Sequence, residues 1–207
     1  MKNKSVIIGY SGHAYVLLDI LLSQGKTAQG YCEKKQKLDN PYQIDFLGDE
    51  NDPKVIERLV GNDVYLGVGN NKARAEIYGM LSVLNFKFPF ISHQQVFISG
   101  TAQVSYATVI MPGSIINAKA QIGVGVICNS GSIIEHECII EDFAHIAPGA
   151  VLSGNVKVGS HSFIGANSVI KQGVSIGSNV IIGAGSVIIR DIADNVKVVG
   201  NPQRQIS

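Results

Sequence analysis

The chain has 207 residues, of which 45% are apolar and 16% charged, and its formal net charge is +1. This describes a compact globular protein of one large or two small domains, and so small a charge argues against a dedicated nucleic-acid surface. Apolar runs are too short for a membrane span or a signal peptide, and the three cysteines have no metal-like spacing, so the cytoplasm is the expected location.

In chain order, residues 5–9 form an apolar segment that predicts a first buried strand. Gly9-Tyr10-Ser11-Gly12-His13-Ala14 then leads into an amphipathic helix carrying Val16, Leu17, Ile20 and Leu21. A glycine turn between strand and helix either brings backbone N–H groups to a phosphate or simply packs tightly. A second strand, about 28–32, ends in Cys32-Glu33-Lys34-Lys35. A third, Val64 to Val68, runs into Gly69-Asn70-Asn71 and a helix with Arg74, Ile77, Tyr78 and Leu81. Polar loops at the carboxyl ends of parallel strands are where open α/β sheets bind ligands, although Lys34, Lys35 and Arg74 taken singly are equally compatible with solvated surface. With Pro53 to Val60 as a short helix and 86–91 as a last strand, residues 1–92 form a small Rossmann-like domain, sized for one mononucleotide.

From Ile98 every sixth residue is apolar through Val104, Ile110, Ile116, Ile122, Cys128, Ile134, Ile140, Ile146, Leu152, Val158, Ile164, Ile170, Ile176, Ile182 and Ile188. Four residues after each anchor lies a small or β-branched residue, a column that slips only at Ile192. An unbroken six-residue period predicts a parallel β-helix in which three hexapeptides close one coil. The irregular turns of a β-sandwich would destroy such a period. The anchors fill the interior, while Gly123, Asn129, Gly165, Asn167, Gly177 and Asn179 are expected at corners with left-handed backbone geometry. Residues 93–195 make about five coils, followed by a C-terminal tail, 196–207.

Charge is scarce in the coils until Ile134-Glu135-His136-Glu137-Cys138-Ile139-Ile140-Glu141-Asp142-Phe143-Ala144-His145. A histidine flanked by carboxylates is suited to general-base work, because a neighbouring carboxylate orients the ring and raises its basicity. Eighteen residues on, one coil along, stands Gly154, whose bare backbone could offer an N–H to a developing oxyanion. Zinc held by His136, His145 and His161 is disfavoured, since separations of nine and sixteen residues do not stack; no metal is expected. Cys138 falls on an inward column, which argues against a covalent relay. His93 has no evident partner and is taken as structural.

The chain resembles the bacterial hexapeptide-repeat acyltransferases, in the branch that joins a Rossmann-like N-terminal domain to a left-handed β-helix. That branch includes N-acetyltransferases of nucleotide-linked 4-amino sugars, of the bacillosamine and perosamine type, and sialic acid O-acetyltransferase-like proteins. The likeness rests on Gly9-Tyr10-Ser11-Gly12-His13, Gly69-Asn70-Asn71, Ile116-Asn117-Ala118-Lys119-Ala120, Asn129 with Ile134-Glu135-His136-Glu137-Cys138, Gly154-Asn155-Val156-Lys157-Val158-Gly159 and Val199-Gly200-Asn201-Pro202. The left hand of the coil is implied by this resemblance alone. So is a homotrimer with acetyl-CoA between adjacent β-helices, acting on a UDP- or GDP-linked amino sugar for surface-glycan synthesis. By the same resemblance His136 is the base, Glu137 orients it, and the Gly154 amide holds the carbonyl oxygen. Asn129 meets the amino sugar, and Ser11, Gly12, His13, Glu33, Lys35, Gly69, Asn70 and Arg74 cradle the nucleotide. His145 from the neighbouring subunit lies near the thioester, while Ala166, Ala184, Pro202 and Arg204 contact acetyl-CoA. The alternatives are O-acetylation of a sialic acid, a zinc-dependent hydratase and a non-catalytic β-helix scaffold.

Overall fold

A computed structural model describes residues 4–84 and 86–206. The N-terminal part is a parallel four-stranded sheet in the order β3-β2-β1-β4 (β1 Ser5–Ile8, β2 Ala28–Cys32, β3 Asp45–Gly48, β4 Asp63–Leu66), with helices α1 (Gly12–Ser23), α2 (Pro53–Leu59) and α3 (Asn71–Ser82). Helix α1 buries Ala14, Leu17, Leu18 and Leu21, one face at helical spacing. It ends where Gly25 takes φ +68° and the amides of Gly25 and Lys26 bond back to Leu22 and Leu21, a glycine-dependent stop. Helices α2 and α3 start on side-chain caps: Asp52 accepts from the Lys54 amide and Asn70 from the Ala73 amide.

Strand β3 escaped the sequence reading because Asp45-Phe46-Leu47-Gly48 carries no repeated apolar alternation. The expected strand at 86–91 is corrected: Lys87 makes one isolated parallel bridge to Asp63, and the two-residue strand Ile91–Ser92 pairs with Val109–Ile110 instead. Pro89 has no N–H to continue a ladder, so the segment crosses from one sheet to the other.

From Ile91 the chain winds a left-handed β-helix. Each two-residue strand pairs in parallel with the strand eighteen residues on, as in Gln121↔Ile139↔Lys157↔Ser175. The anchors and the small column fill the bore from Ile110 to Val198, each buried isoleucine contributing roughly 1.5–3 kcal/mol. Hydroxyls that enter the bore are satisfied: Ser162 Oγ, for example, donates to Gly177 O (2.7 Å) and accepts from Val180 N (2.9 Å). The last coil is shorter. Ile176 bridges Ile192 and Ile181 pairs with Lys197, a step of sixteen that accounts for the slipped column.

The corners correct the sequence reading. Positive φ recurs every sixth residue, through Ala107, Gly113, Lys119, Gly125, Gly131, Glu137, Phe143, Gly149, Asn155, His161, Asn167, Gly173, Asn179 and Gly185. Asn167 and Asn179 belong to this column, but Gly123, Asn129, Gly165 and Gly177 do not. At Gly165 an added Cβ would lie 2.5 Å from Ala184 N, and at Gly123 2.8 Å from Asp142 N. Those glycines answer to the close approach of the next coil.

The three faces differ in what their outward residues offer. The docked face (Ile91–Ser92, Val109–Ile110, Ile127–Cys128, His145–Ile146, Phe163–Ile164, Ile181–Ile182, Lys197–Val199, closed by antiparallel Arg204–Ile206) carries the N-terminal domain. Its Ile91, Val109, Met111 and Ile127 pack with Leu17, Ile20 and Leu21. The polar face presents Gln103, Gln121, Ile139, Lys157 and Ser175. The third face presents Phe97, Ile115, Ile133, Val151, Val169 and Val187, apolar over six coils and partly or fully exposed. No helix among the described residues is long and apolar enough to cross a membrane.

Candidate active site

His136 and Glu137 stand at the corner between the apolar and polar faces, with Glu137 in the left-handed region at φ +63°. His136 Nδ1 lies 3.2 Å from Glu137 Oε2, and both side chains are about half exposed. Glu135 does not flank the ring as expected: its Oε2 accepts from Asn117 Nδ2 at 2.9 Å. One carboxylate therefore orients the imidazole, which leaves Nε2 available. The ring lies directly on Gly154, where an added Cβ would meet Cε1, Nε2 at 2.6 Å and Nδ1 at 3.1 Å. The inter-coil ladder uses the amides of Asn155 and Ser153, whereas the Gly154 N–H has no acceptor among the described residues. A residue with an open N–H thus lies against the imidazole, one coil away.

A second group gathers where the N-terminal domain meets the docked face. Gly9 and Gly67 supply the tight packing between the loops after β1 and β4: a Cβ on Gly9 would sit 2.7 Å from Val68 Cγ2, and one on Gly67 2.6 Å from Gly9 O. Gly12 faces open space. Ser11, the exposed N-cap residue of α1, makes no capping bond with its side chain. Asn70 is exposed, with Oδ1 taken by Ala73 N. Glu33 accepts from the amides of Tyr10 (3.4 Å) and Lys34 (3.3 Å) and pairs with Lys37 at 3.1 Å, leaving Lys35 exposed.

Below these loops Asn129 Nδ2 lies 3.0 Å from His145 Nε2, while Asn129 Oδ1 accepts from Ser130 N at 2.8 Å. Because the amide oxygen is already used, Asn129 donates to Nε2, and the proton of a neutral His145 sits on Nδ1. That Nδ1 is buried, with the Gly69 backbone as its neighbour but no well-formed hydrogen bond, and Nε2 of His13 and Nδ1 of His161 are buried without a partner. Burial, with the Arg74 charge second, pushes His145 down to about 4; burial, Arg74 and His145 push His13 down to about 3. Both rings are neutral at neutral pH.

The expectation for Arg74 is corrected. It is fully buried, with its guanidinium spent on Gly125, Phe143, Val68 and Gly69 carbonyls and Asn71 Oδ1. Ala166 and Ala184 stack on the corner between the docked and apolar faces. Ala166 O takes Gly185 N at 2.8 Å, and the N–H groups of both alanines have no acceptor among the described residues. Pro202 and Arg204 are exposed at the top of the stack, where Gln203 bonds the Ile189 and Arg190 amides.

The sequence reading missed a cavity of about 460 Å³ beside the N-terminus of α3, lined by Asn70, Asn71, His161, Phe163, Asn179 and Ile181. Its only signal was two apolar residues, Phe163 and Ile181, at outward positions of the repeat. His136, His145 and His161 lie on different corners or faces, and among the described residues no group of three or more His, Cys, Asp or Glu could hold a metal ion.

Residues 4–81 match the family model described as the PglD N-terminal domain, and residues 155–190 match that of the bacterial transferase hexapeptide (six repeats). The acetyltransferase domain of PglB from Neisseria gonorrhoeae FA1090, solved with acetyl coenzyme A, is 30% identical over 99% of this chain and 100% of that one, with a TM-score of 0.93. The chain belongs to the hexapeptide-repeat sugar acetyltransferases. PerB from Caulobacter crescentus, solved with CoA and GDP-perosamine, is 28% identical over 100% of this chain and 99% of its own, also at 0.93. WeeI from Acinetobacter baumannii AYE shares the fold at 21% identity, covering 99% and 100%, with a TM-score of 0.90. In this acetyltransferase, as the β-helix winds, the His136 corner lies opposite the face on which the N-terminal domain is docked.

Proposed function

We propose that the protein transfers the acetyl group of acetyl-CoA to the 4-amino group of a sugar linked to UDP or GDP, with His136 as general base. The single observation that carries this reading is the His136 ring, oriented by Glu137, lying on Gly154 beside an N–H with no acceptor. The nitrogen attacks the thioester carbonyl and its proton passes to His136 Nε2. The oxyanion accepts the Gly154 N–H, and collapse of the adduct expels CoA thiolate, which takes up a proton. General-base help is typically worth 10²–10⁴-fold and an amide donor roughly 3–4 kcal/mol. No acyl-enzyme is needed. Cys138 is buried, with its Sγ on Ser153 O and its thiol pushed up to about 11 by burial.

The nucleotide-sugar loops and the base do not share one side of a protomer, since a whole triangular edge, at most about 20 Å for six residues, separates them. An apolar face with no cover of its own adjoins the His136 corner. Both features support a homotrimer in which the base of one protomer meets Asn129, His145 and the N-terminal loops of the next, with the open amides of Ala166 and Ala184 along the CoA arm. N-acetylation is favoured over O-acetylation of a sialic acid because PerB, similar over the whole chain, was solved with GDP-perosamine, an amino sugar. A cytoplasmic location goes with this reading. The product is an activated, N-acetylated sugar donor, suited to surface-glycan assembly.

A thiol-release assay with UDP- and GDP-linked 4-amino sugars tests the reading. His136→Ala is expected to lower kcat by at least about 10²-fold while acetyl-CoA still shifts the melting temperature. Full activity in that variant removes the base assignment, and no thermal shift with acetyl-CoA in the unaltered protein leaves a scaffold as the better description.

A further inference from the structure

Among the described residues of the seam, Arg74 is the one fully buried charged side chain. All five N–H donors of its guanidinium are engaged: Nε with Gly125 O (2.7 Å), one terminal nitrogen with Val68 O (3.2 Å) and Gly69 O (3.1 Å), the other with Asn71 Oδ1 (3.0 Å) and Phe143 O (2.9 Å). These acceptors come from two separate places. Val68 and Gly69 belong to the loop between β4 and α3 and Asn71 is the first residue of α3, whereas Gly125 and Phe143 are corner residues of successive coils, both at positive φ. The loop is tied to the coils a second time by Asn71, whose Nδ2 donates to His161 O (2.9 Å) and Ser162 O (3.2 Å), and Tyr78 packs its ring on Phe143 at 5.6 Å. Gly125 is glycine for this contact too, since a Cβ there would strike the Phe143 ring.

A buried charge ordinarily has a counter-charge. No carboxylate lies within ion-pair distance of Arg74 among the described residues. It faces His13 from α1 and His145 from the docked face, both neutral, and neutral carbonyls from everything else packed on it. Burying an uncompensated guanidinium is costly, so the arrangement needs a function beyond stability, and its position names one. The tied loop ends in Gly69 and Asn70, which line the cavity with Phe163 and Ile181.

We propose that Arg74 is a positioning residue for the nucleotide-sugar half-site: it fastens the Val68–Asn71 loop to two coils of the β-helix, so that Gly69 and Asn70 are held in register with His145 and the cavity before substrate arrives. A loop already ordered in its bound geometry spares the ordering entropy of binding. The planar fork is the necessary feature, because an ammonium with three donors cannot reach acceptors spread over five residues. The positive charge has a second consequence: it disfavours protonation of His13 and His145, which keeps the Asn129 to His145 hydrogen bond in one polarity.

The proposal rests on the nucleotide-sugar reading for its kinetic arm alone. Arg74→Lys keeps the charge and loses the fork; Asn71→Ala keeps the arginine and removes one acceptor and both bonds to the coil. Hydrogen exchange on the ligand-free protein is expected to be at least about tenfold faster at the hydrogen-bonded amides flanking the loop, Gly67, Ala73 and residue 74, in each variant, with the coils from 103 to 188 unchanged. In steady-state assays KM for the nucleotide-linked amino sugar is expected to rise about tenfold or more in Arg74→Lys and less in Asn71→Ala, with KM for acetyl-CoA unchanged and kcat within about threefold. Unchanged loop exchange in Asn71→Ala overturns the proposal, whether or not Arg74→Lys folds. So does a rise in both KM values together with a loss of global melting temperature, which marks Arg74 as structural only. If the unaltered protein acetylates no nucleotide-linked amino sugar, the functional reading fails while the exchange experiment still decides the tie.

Discussion

Replacing Gly154 by alanine separates the position of His136, the proposed base, from every other part of the site. The added methyl carbon would stand 2.6 Å from His136 Nε2 and 3.1 Å from Nδ1, and its nearest neighbours all belong to that ring. Ordinary contact requires about 3.4–4 Å, so the imidazole must move by about 1 Å or swing into solvent. A displacement of that size at a reacting group costs on the order of 10²-fold, or about 2.7 kcal/mol of transition-state stabilisation. The fold should not suffer. Gly154 has no positive φ, the ring is half exposed, with solvent to move into at the expense of its contact with Glu137, and glycine to alanine in compatible backbone stabilises by about 0.4–1 kcal/mol through the unfolded chain. The alanine retains the N–H. The expected outcome in a thiol-release assay is therefore a fall in kcat of about 10²-fold, with an unchanged or slightly raised melting temperature and unchanged acetyl-CoA binding. In a His136→Ala background the same change should add almost nothing. Wild-type turnover in Gly154→Ala, or an equal loss in both backgrounds, would refute the idea that Gly154 is glycine to seat the base.

Two further outcomes follow from the seam and the bare face. His13 and His145 bind protons less readily folded, at about 3 and 4, than unfolded near 6.5; stability is therefore full above about pH 6.5 and falls as the pH drops toward 4 and 3. His145 alone accounts for about 3 kcal/mol at the acid end, so urea midpoints at pH 7.5, 5.5 and 4.5 should decline in that order, and a flat series contradicts the neutral buried pair. Ile133→Asp or Val151→Asp places a carboxylate on the apolar face without touching the bore. Sedimentation should then give single chains with an intact circular dichroism spectrum and no transfer activity, whereas an unaltered, active oligomer would exclude that face from the interface.

The candidate site was legible wherever stacking alone decides it. Gly154 lies under His136 because the offset of one coil is fixed once the period is known, and the same offset stacks Ala166 on Ala184. Glu135 was misjudged as a partner of the ring because its competitor, Asn117, is one coil away on the same corner, and side-chain direction at a corner depends on φ rather than on spacing. Arg74 was misjudged for a different reason. Lying just after a strand and a glycine, it has the sequence context of a ligand residue, but its principal acceptor, Gly125, is 51 positions distant.

The amino-acid sequence by itself determined the β-helix, its bore and the coil on which each titratable residue sits, because an inward residue every six positions can be buried in only one way and every coil repeats the constraint. It also placed β1, β2 and β4 and the three helices that precede the coils, through local apolar spacing, but neither β3 nor the crossing at 86–91. Only the tertiary structure decided which face the N-terminal domain covers, and hence that the guanidinium is buried, that His13 and His145 are neutral, and that one apolar face is left bare beside His136. Those outcomes depend on how two bodies with separate cores meet across contacts remote in the chain, and no local period encodes that meeting.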